Sequence, residues 1–129
     1  GNRDTDRSRG LGDVYKRQRK IILGILSFIP GLHDYDRVAE EVDWSLGVGN
    51  PIYLWQNDEN GDFSGAAIVE LGPEYVLIRR ISFLPSERSG KNVYAFLTAL
   101  HQKYANRRLM GTMATQPLIT NWEKMHEKQ

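Results

Sequence analysis

The sequence predicts an α/β (α+β) fold: one domain with a mixed, mostly antiparallel twisted sheet and helices on both faces. Three β-rich segments follow one another closely between residues 52 and 84. Apolar residues recur at helical spacing before and after these segments. A helical segment also separates the third β-rich segment from a further short one. The predicted order is therefore (β)ααβββαβα, which fits a single layered domain.

Residues 1–18 differ from the rest of the chain. They are rich in charged side chains, poor in apolar ones, and show no helical or strand period. The run LGDVYKRQ resembles translated sequencing-adapter read-through, so we expect a non-native or disordered segment in the place of a first strand. A basic arm for nucleic acid is the competing interpretation, and the acidic residues of the segment disfavour it. We therefore expect the folded domain to span residues 19–129.

Two helices are predicted next. The apolar run KIILGILSFIP, residues 20–30, is too short for a membrane span and is not followed by a small-residue cleavage site. We interpret it as a buried amphipathic helix that ends at Pro30. From Gly31 to Val42, apolar residues recur at three- and four-residue spacing, with Asp34 as a plausible N-cap.

The three strands that follow are Ile52–Gln56, Phe63–Leu71 and residues 75–84. Asn60-Gly61, between the first two strands, is a strong hairpin dipeptide. Gly72-Pro73 marks a second turn, between the second and third strands. Short turns of this kind predict a three-stranded antiparallel meander.

The last third of the chain predicts a helix, a strand and a second helix. The first helix starts near Asn92 and carries its apolar residues on one face. Residues 109–113 predict the final strand. In the tail, Thr115 or Thr120 could cap the last helix, and Pro117 suits its first turn.

Composition excludes several classes of function. The 129 residues include 17 basic and 16 acidic side chains, a net charge of +1, so we expect no nucleic-acid binding through overall charge. The absence of cysteine excludes disulfides, thiolate metal sites and cysteine catalysis, and it fits a cytoplasmic location. The three histidines are isolated and lack metal-ligand spacing, so we predict no metal site. We also expect no membrane partner, because the apolar run at residues 20–30 is too short for a span.

The connection from the third strand to the next helix is the candidate binding feature. Arg88 and Gly90 lie in this loop, and Lys91 follows them. Free backbone N–H groups at a helix N-terminus bind anions, and the two cations add to the attraction. A pyrophosphate would fit there, although a loop of this composition is also typical of an ordinary solvated connection.

Residues 81–100, ISFLPSERSGKNVYAFLTAL, resemble the acyl-CoA-binding core of the GNAT superfamily of N-acetyltransferases. In that core a strand ending in proline leads into Arg-x-x-Gly-x-Gly/Ala and then into a helix. The segments KIILGILSFIP, IYLWQNDENGDFSGAAIVE, IRRISFLPSER and LITNWEKM resemble, more narrowly, the short RibT-type GNAT proteins of riboflavin-synthesis operons. The resemblance covers most of residues 20–125. It implies a GNAT fold and acetyl-CoA, or another acyl-CoA, as cofactor.

The resemblance also implies which residues bind this cofactor. In GNAT proteins the backbone of the strand before the loop binds the pantetheine arm, and the loop amides bind the pyrophosphate. The following strand splays away, and a residue of the last helix can face the arm. By position, the cofactor-binding residues are Ile81, Ser82, Phe83, Arg88, Ser89, Gly90, Lys91, Asn92, Val93 and Asn121.

Four positions depart from the GNAT pattern. Lys91 and Val93 stand where the motif has glycines. Arg80 takes the central-strand place where many GNAT enzymes have a carboxylate, and arginine is a poor base because it stays protonated. Trp122 takes the place of the usual tyrosine acid, and an indole gives up no proton at neutral pH. Cofactor binding is therefore better supported than catalysis.

Catalytic residues are not identified by these patterns, and three weak candidates remain. Glu70 and Glu74 could act through water, and Ser82 could donate to an oxyanion; a structural role is the alternative for each. Arg79 and Arg80 are expected to point to opposite faces of the sheet, so that only one of them faces the cofactor. That arginine would favour an anionic acceptor or the cofactor phosphates.

The function predicted is acetyl transfer from acetyl-CoA to an unidentified amine, on a small molecule or a protein, by direct attack on the thioester. A non-catalytic acyl-CoA-binding or regulatory GNAT-fold module is the alternative, and a ligand-free protein-interaction domain is a third. The fold also allows a homodimer.

Overall fold

A computed structural model describes residues 11–32, 34–56 and 62–127. Its elements confirm the predicted ααβββαβα succession. From Leu11 onward, the structure has no strand ahead of this succession. Residues 1–10 and the Asn60-Gly61 turn lie outside the described residues. In chain order the elements are α1 (Leu11–Leu26), α2 (Tyr35–Gly47), β1 (Ile52–Gln56), β2 (Phe63–Leu71), β3 (Tyr75–Phe83), a 3-10 turn (Pro85–Glu87), α3 (Gly90–Lys103), β4 (Arg108–Gly111) and α4 (Gln116–Glu127).

Helix α1 begins and ends earlier than the sequence predicts. Residues 11–18, which show no period, form its first half. Extending an existing helix adds one hydrogen bond for each residue fixed, so the polar half of α1 can form as an extension of its apolar half at a low cost in free energy. The helix ends at Leu26 rather than at Pro30, because residues 27–32 form successive turns. Gly31 completes this connection with a φ of 91°, a conformation that favours glycine.

The strands form one sheet in the order β1-β2-β3-β4. The first three are antiparallel neighbours, which confirms the meander, and β4 runs parallel to β3. Helix α3 is the crossover between the two parallel strands. Strand β4 ends at Gly111 rather than at residue 113, because the backbone N–H of Thr112 turns to the hydroxyl of Thr115, 2.9 Å away.

Two apolar clusters confirm that helices cover both faces of the sheet. Alternate residues of a strand point to opposite faces. Ile52 and Leu54 of β1 pack with α1 and α2, whereas Tyr53 packs with α3 and α4. On β2, Ile68 belongs to the first cluster and Val69 to the second.

A β-bulge in β3 interrupts this alternation. Ile68 of β2 pairs with Arg80, but Val69 pairs with Ile78, so Arg79 is an extra residue without a pairing partner in β2. Arg80 reaches α2, where its Nε donates to Glu41 Oε1 at 2.9 Å. Arg79 also lies on the α2 side, its guanidinium 5.1 Å from the ring centre of Trp44. The prediction that the two arginines point to opposite faces is therefore wrong.

No helix in the described ranges has the length and apolar character needed to cross a membrane. Within the same ranges, no three histidine or carboxylate side chains gather closely enough to hold a metal ion.

Candidate functional site

The sheet opens between β3 and β4. The two strands pair only from Tyr75 to Ile78 on β3 and from Arg108 to Gly111 on β4. Strand β3 continues to Phe83, so no strand of the described residues lies beside its second half on the β4 side. The Thr115 hydroxyl occupies the point of separation, where it donates to the carbonyl of Ile78 at 2.7 Å. The second half of β3 therefore offers a backbone edge to a ligand.

A cavity of about 480 Å³ lies along this edge. The volume is within the usual range for a small-molecule site. We call this cavity the slot. It is lined by residues 28–30 of the α1–α2 connection, 79–83 of β3, Arg88 and Val93 near the start of α3, and Ala114, Thr115 and Leu118 near the start of α4.

The start of α3 lies beside one end of the slot. Ser89 caps the helix, because its hydroxyl accepts from the backbone N–H of Asn92 at 3.2 Å. The N–H of Val93 donates to the Ser89 carbonyl. Among the first N–H groups of the helix, those of Gly90 and Lys91 have no acceptor within the described ranges, so they are left for a ligand. The Asn92 side chain donates to the Glu87 carbonyl at 3.0 Å, which fixes the loop in front of them.

Helix α3 thus begins two residues earlier than the sequence predicts, at Gly90. A methyl group on Gly90 would meet only the ring of Tyr94, at 3.6 Å, so this glycine is not required by packing.

The predicted cofactor-binding residues fall into three groups. Ile81, Ser82, Phe83, Arg88 and Val93 line the slot. Ser89, Gly90, Lys91 and Asn92 do not line it; they form the cap and first turn of the helix at its end. Asn121 is exposed on α4 and is not part of the lining.

Of the three catalytic candidates, only Ser82 lines the slot. Its hydroxyl is buried and donates to the carbonyl of Ile25 at 2.8 Å, which uses its one proton. Glu70 accepts from Arg79 NH1 at 3.1 Å. Glu74 is exposed at the turn between β2 and β3. Both glutamates lie outside the lining, so the structure brings no candidate base to the cavity.

Trp122 does not face the slot either. It is 5 % exposed and packs in the cluster beneath α3 and α4. Its indole N–H donates to the hydroxyl of Thr98 at 3.0 Å, and its ring meets His101 edge-on at 5.5 Å. This residue is part of the core between the two helices.

Several lining residues are not identified by the sequence reasoning. Phe28, Ile29 and Pro30 are assigned there to a helix, but they form the wall of the slot that comes from the α1–α2 connection. Their signal is Pro30 followed by Gly31, a pair that marks a turn. Thr115 is considered only as a helix cap, because its contact with Ile78 joins residues far apart in the chain.

Neither protein-family models nor curated protein sequences match the chain. Solved structures do. An aminoglycoside N-acetyltransferase, AAC(6')-Iy in complex with CoA, superposes with a TM-score of 0.56 at 19% identity, over 88% of this chain and 80% of that one.

Two further structures align less well. A Trypanosoma brucei acetyltransferase has a TM-score of 0.45 at 17% identity, over 80% of each chain. Glucosamine-6-phosphate N-acetyltransferase from Arabidopsis thaliana has 0.42 at 11% identity, over 84% of each chain. At such low identities it is the fold that the first superposition shows, and it confirms the predicted GNAT fold.

Proposed function

We propose that this chain is an acyl-CoA-dependent N-acetyltransferase that moves an acetyl group from acetyl-CoA to an amine. The observation that carries the proposal is the open second half of β3, which runs along the slot toward free N–H groups at the start of α3. A linear chain of amides that ends in a pyrophosphate matches this succession of backbone edge and helix N-terminus. The superposition with a CoA-bound acetyltransferase supports the same assignment.

The residues present fit this donor. The edge of β3 from Ile81 to Phe83 would hydrogen-bond the pantetheine amides. The N–H groups of Gly90 and Lys91 would bind the pyrophosphate, and the charges of Arg88 and Lys91 would strengthen that contact. Lysine at position 91 supplies a point charge where the GNAT motif has glycine.

The chemistry proposed is direct attack. The neutral amine nitrogen bonds to the thioester carbonyl carbon, the carbon–sulfur bond breaks, and CoA leaves as the thiol after taking up a proton. The amine loses one proton to water, because the glutamate candidates Glu70 and Glu74 lie outside the lining. The lining holds no carboxylate among the described residues, so we propose that the slot orients the donor rather than acting as a strong base.

Turnover tests this function. The full chain is incubated with acetyl-CoA and a panel of small and peptide amines, and the release of CoA thiol is followed together with the mass of the acetylated product. We expect amine-dependent release that fails with Arg88→Ala. Hydrolysis without any acetylated product would contradict acetyl transfer.

A non-catalytic acyl-CoA-binding or regulatory module is the second candidate. It is favoured by the residues at the positions of the GNAT acid and base: Trp122 is buried against Thr98, and Arg80 is paired with Glu41. The proton of Ser82, the remaining candidate, is donated to the carbonyl of Ile25. CoA binding without turnover across the amine panel would support this candidate against the enzyme.

Finer assignments rest on the resemblance to RibT-type proteins. We propose residues 19–129 as the acyl-CoA-binding domain, a cytoplasmic location, and a small-molecule or protein amine as acceptor. A homodimer is compatible with the fold, and sedimentation of the full chain would test it.

A further inference from the structure

The inner end of the slot, away from the start of α3, carries two arginines. The bulge in β3 brings Arg79 and Arg80 to the same side of the sheet, and both residues line the cavity. Arg88 lines it as well, toward the α3 end. No acidic residue belongs to the lining among the residues that the structure describes. The charged groups of the slot are therefore all cationic.

Two carboxylates outside the lining hold these arginines in place. Glu41 accepts from Arg80 Nε at 2.9 Å, and Glu70 accepts from Arg79 NH1 at 3.1 Å. Each contact uses one N–H group of a guanidinium that has five. Arg79 Nε is in addition buried and has no acceptor in the described part of the chain. Each guanidinium is thus held by one carboxylate and keeps further N–H groups that can donate to a ligand.

The slot and the neighbouring groove along α2 differ in their balance of charge. Arg80 also borders this groove, whose lining has four acidic side chains, including Glu40 and Glu41, against two basic ones, Arg37 and Arg80. An anion is therefore disfavoured in the groove and favoured in the slot. A planar guanidinium held by one partner presents its other donors in a fork, which matches a carboxylate.

We propose that Arg79 and Arg80 form a subsite for a carboxylate that lies a few bonds beyond the thioester carbonyl. This inference rests on the proposed function, because it assumes that the donor occupies the slot. The carboxylate belongs either to the acyl group, as in a dicarboxylic acyl-CoA, or to the acceptor, as in an amino acid. The recognition chemistry is the same in both cases, and the experiment separates the two sources.

Two matched pairs of probes are titrated into the full chain by calorimetry. Succinyl-CoA is compared with butyryl-CoA, which has the same chain length and no carboxylate. N-acetylglycine is compared with N-acetylglycinamide in the presence of saturating CoA. We expect at least about tenfold tighter binding of the carboxylate in one of the pairs, which corresponds to about 1.4 kcal/mol. The pair that shows the preference identifies the source.

Variants test the residues. Arg80→Gln is expected to lower the preference to less than about threefold, and Arg80→Lys, which keeps the charge but loses the fork, to an intermediate value. Arg108→Gln, an exposed arginine on β4, is the matched control and is expected to keep the full preference. Cooperative thermal unfolding of each variant shows that it is folded.

Equal binding within both pairs, with CoA still bound, would overturn the carboxylate subsite and leave the acetyltransferase standing. A preference that survives in both Arg79→Gln and Arg80→Gln would overturn it as well. Failure of CoA itself to bind would remove the proposed function and the subsite together.

Discussion

Replacing Thr115 with valine removes a buried hydroxyl and leaves the shape of the side chain nearly unchanged. The hydroxyl donates to the carbonyl of Ile78 at 2.7 Å and accepts from the N–H of Thr112 at 2.9 Å. Thr115 is 8 % exposed, so valine leaves the Ile78 carbonyl without a partner and with little access to water. A buried polar group left unpaired costs about 1–3 kcal/mol. We expect Thr115→Val to lower the free energy of unfolding by about 2 kcal/mol.

Thermal unfolding followed by circular dichroism measures this loss. For a chain of this length, about 1 kcal/mol shifts the Tm by roughly 3–4 °C, so we expect a fall of about 6–8 °C. Thr120→Val is the matched control, because Thr120 is exposed on α4, the helix that begins directly after Thr115. A fall for Thr115→Val no larger than for Thr120→Val would refute the assignment of this hydroxyl as the contact that ends the β3–β4 pairing.

Two further substitutions test the packing around the slot. Gly111→Ala is expected to destabilise the chain by about 1–3 kcal/mol, because its methyl group would lie 2.7 Å from the backbone nitrogen of Gln116. Urea unfolding beside the unhindered Gly90→Ala checks this, and equal losses would contradict it. Trp122→Phe is expected to cost about 1 kcal/mol through the lost bond to Thr98 and to leave kcat unchanged. A more than tenfold fall in kcat, with the variant folded, would instead make Trp122 part of the reaction.

The layered fold could be predicted from the sequence because most of its signals are local. The Gly72-Pro73 turn and the β-rich segments on either side of it are visible in short windows, and they indicate the meander. The start of α1 could not be predicted in this way, because residues 11–18 have no apolar period and are helical as an extension of the apolar half.

The site could be predicted from the sequence only where its residues belong to one continuous segment of the chain. Residues 81–93 form one continuous strand, turn and helix start. The structure places residues 81–83, Arg88 and Val93 in the lining of the slot and residues 89–92 at the helix start beside it. The bulge at Arg79 left no signal, because one inserted residue does not change the composition of a strand. The contacts of Arg80 with Glu41 and of Thr115 with Ile78 each join elements distant in sequence, so only the folded chain shows them.

Binding of CoA to the slot is the most direct test of the account. The thermal unfolding of the full chain is measured with and without CoA at about a hundred times its Kd, where binding to the native state adds about 2.7 kcal/mol. We predict a rise in Tm of about 8–11 °C. Lys91→Glu should abolish most of this rise, whereas Lys124→Glu, on the exposed surface of α4, should keep it. Cooperative unfolding with no rise, or an equal rise in Lys91→Glu, would contradict the assignment of the slot and of the α3 N-terminus as a CoA site.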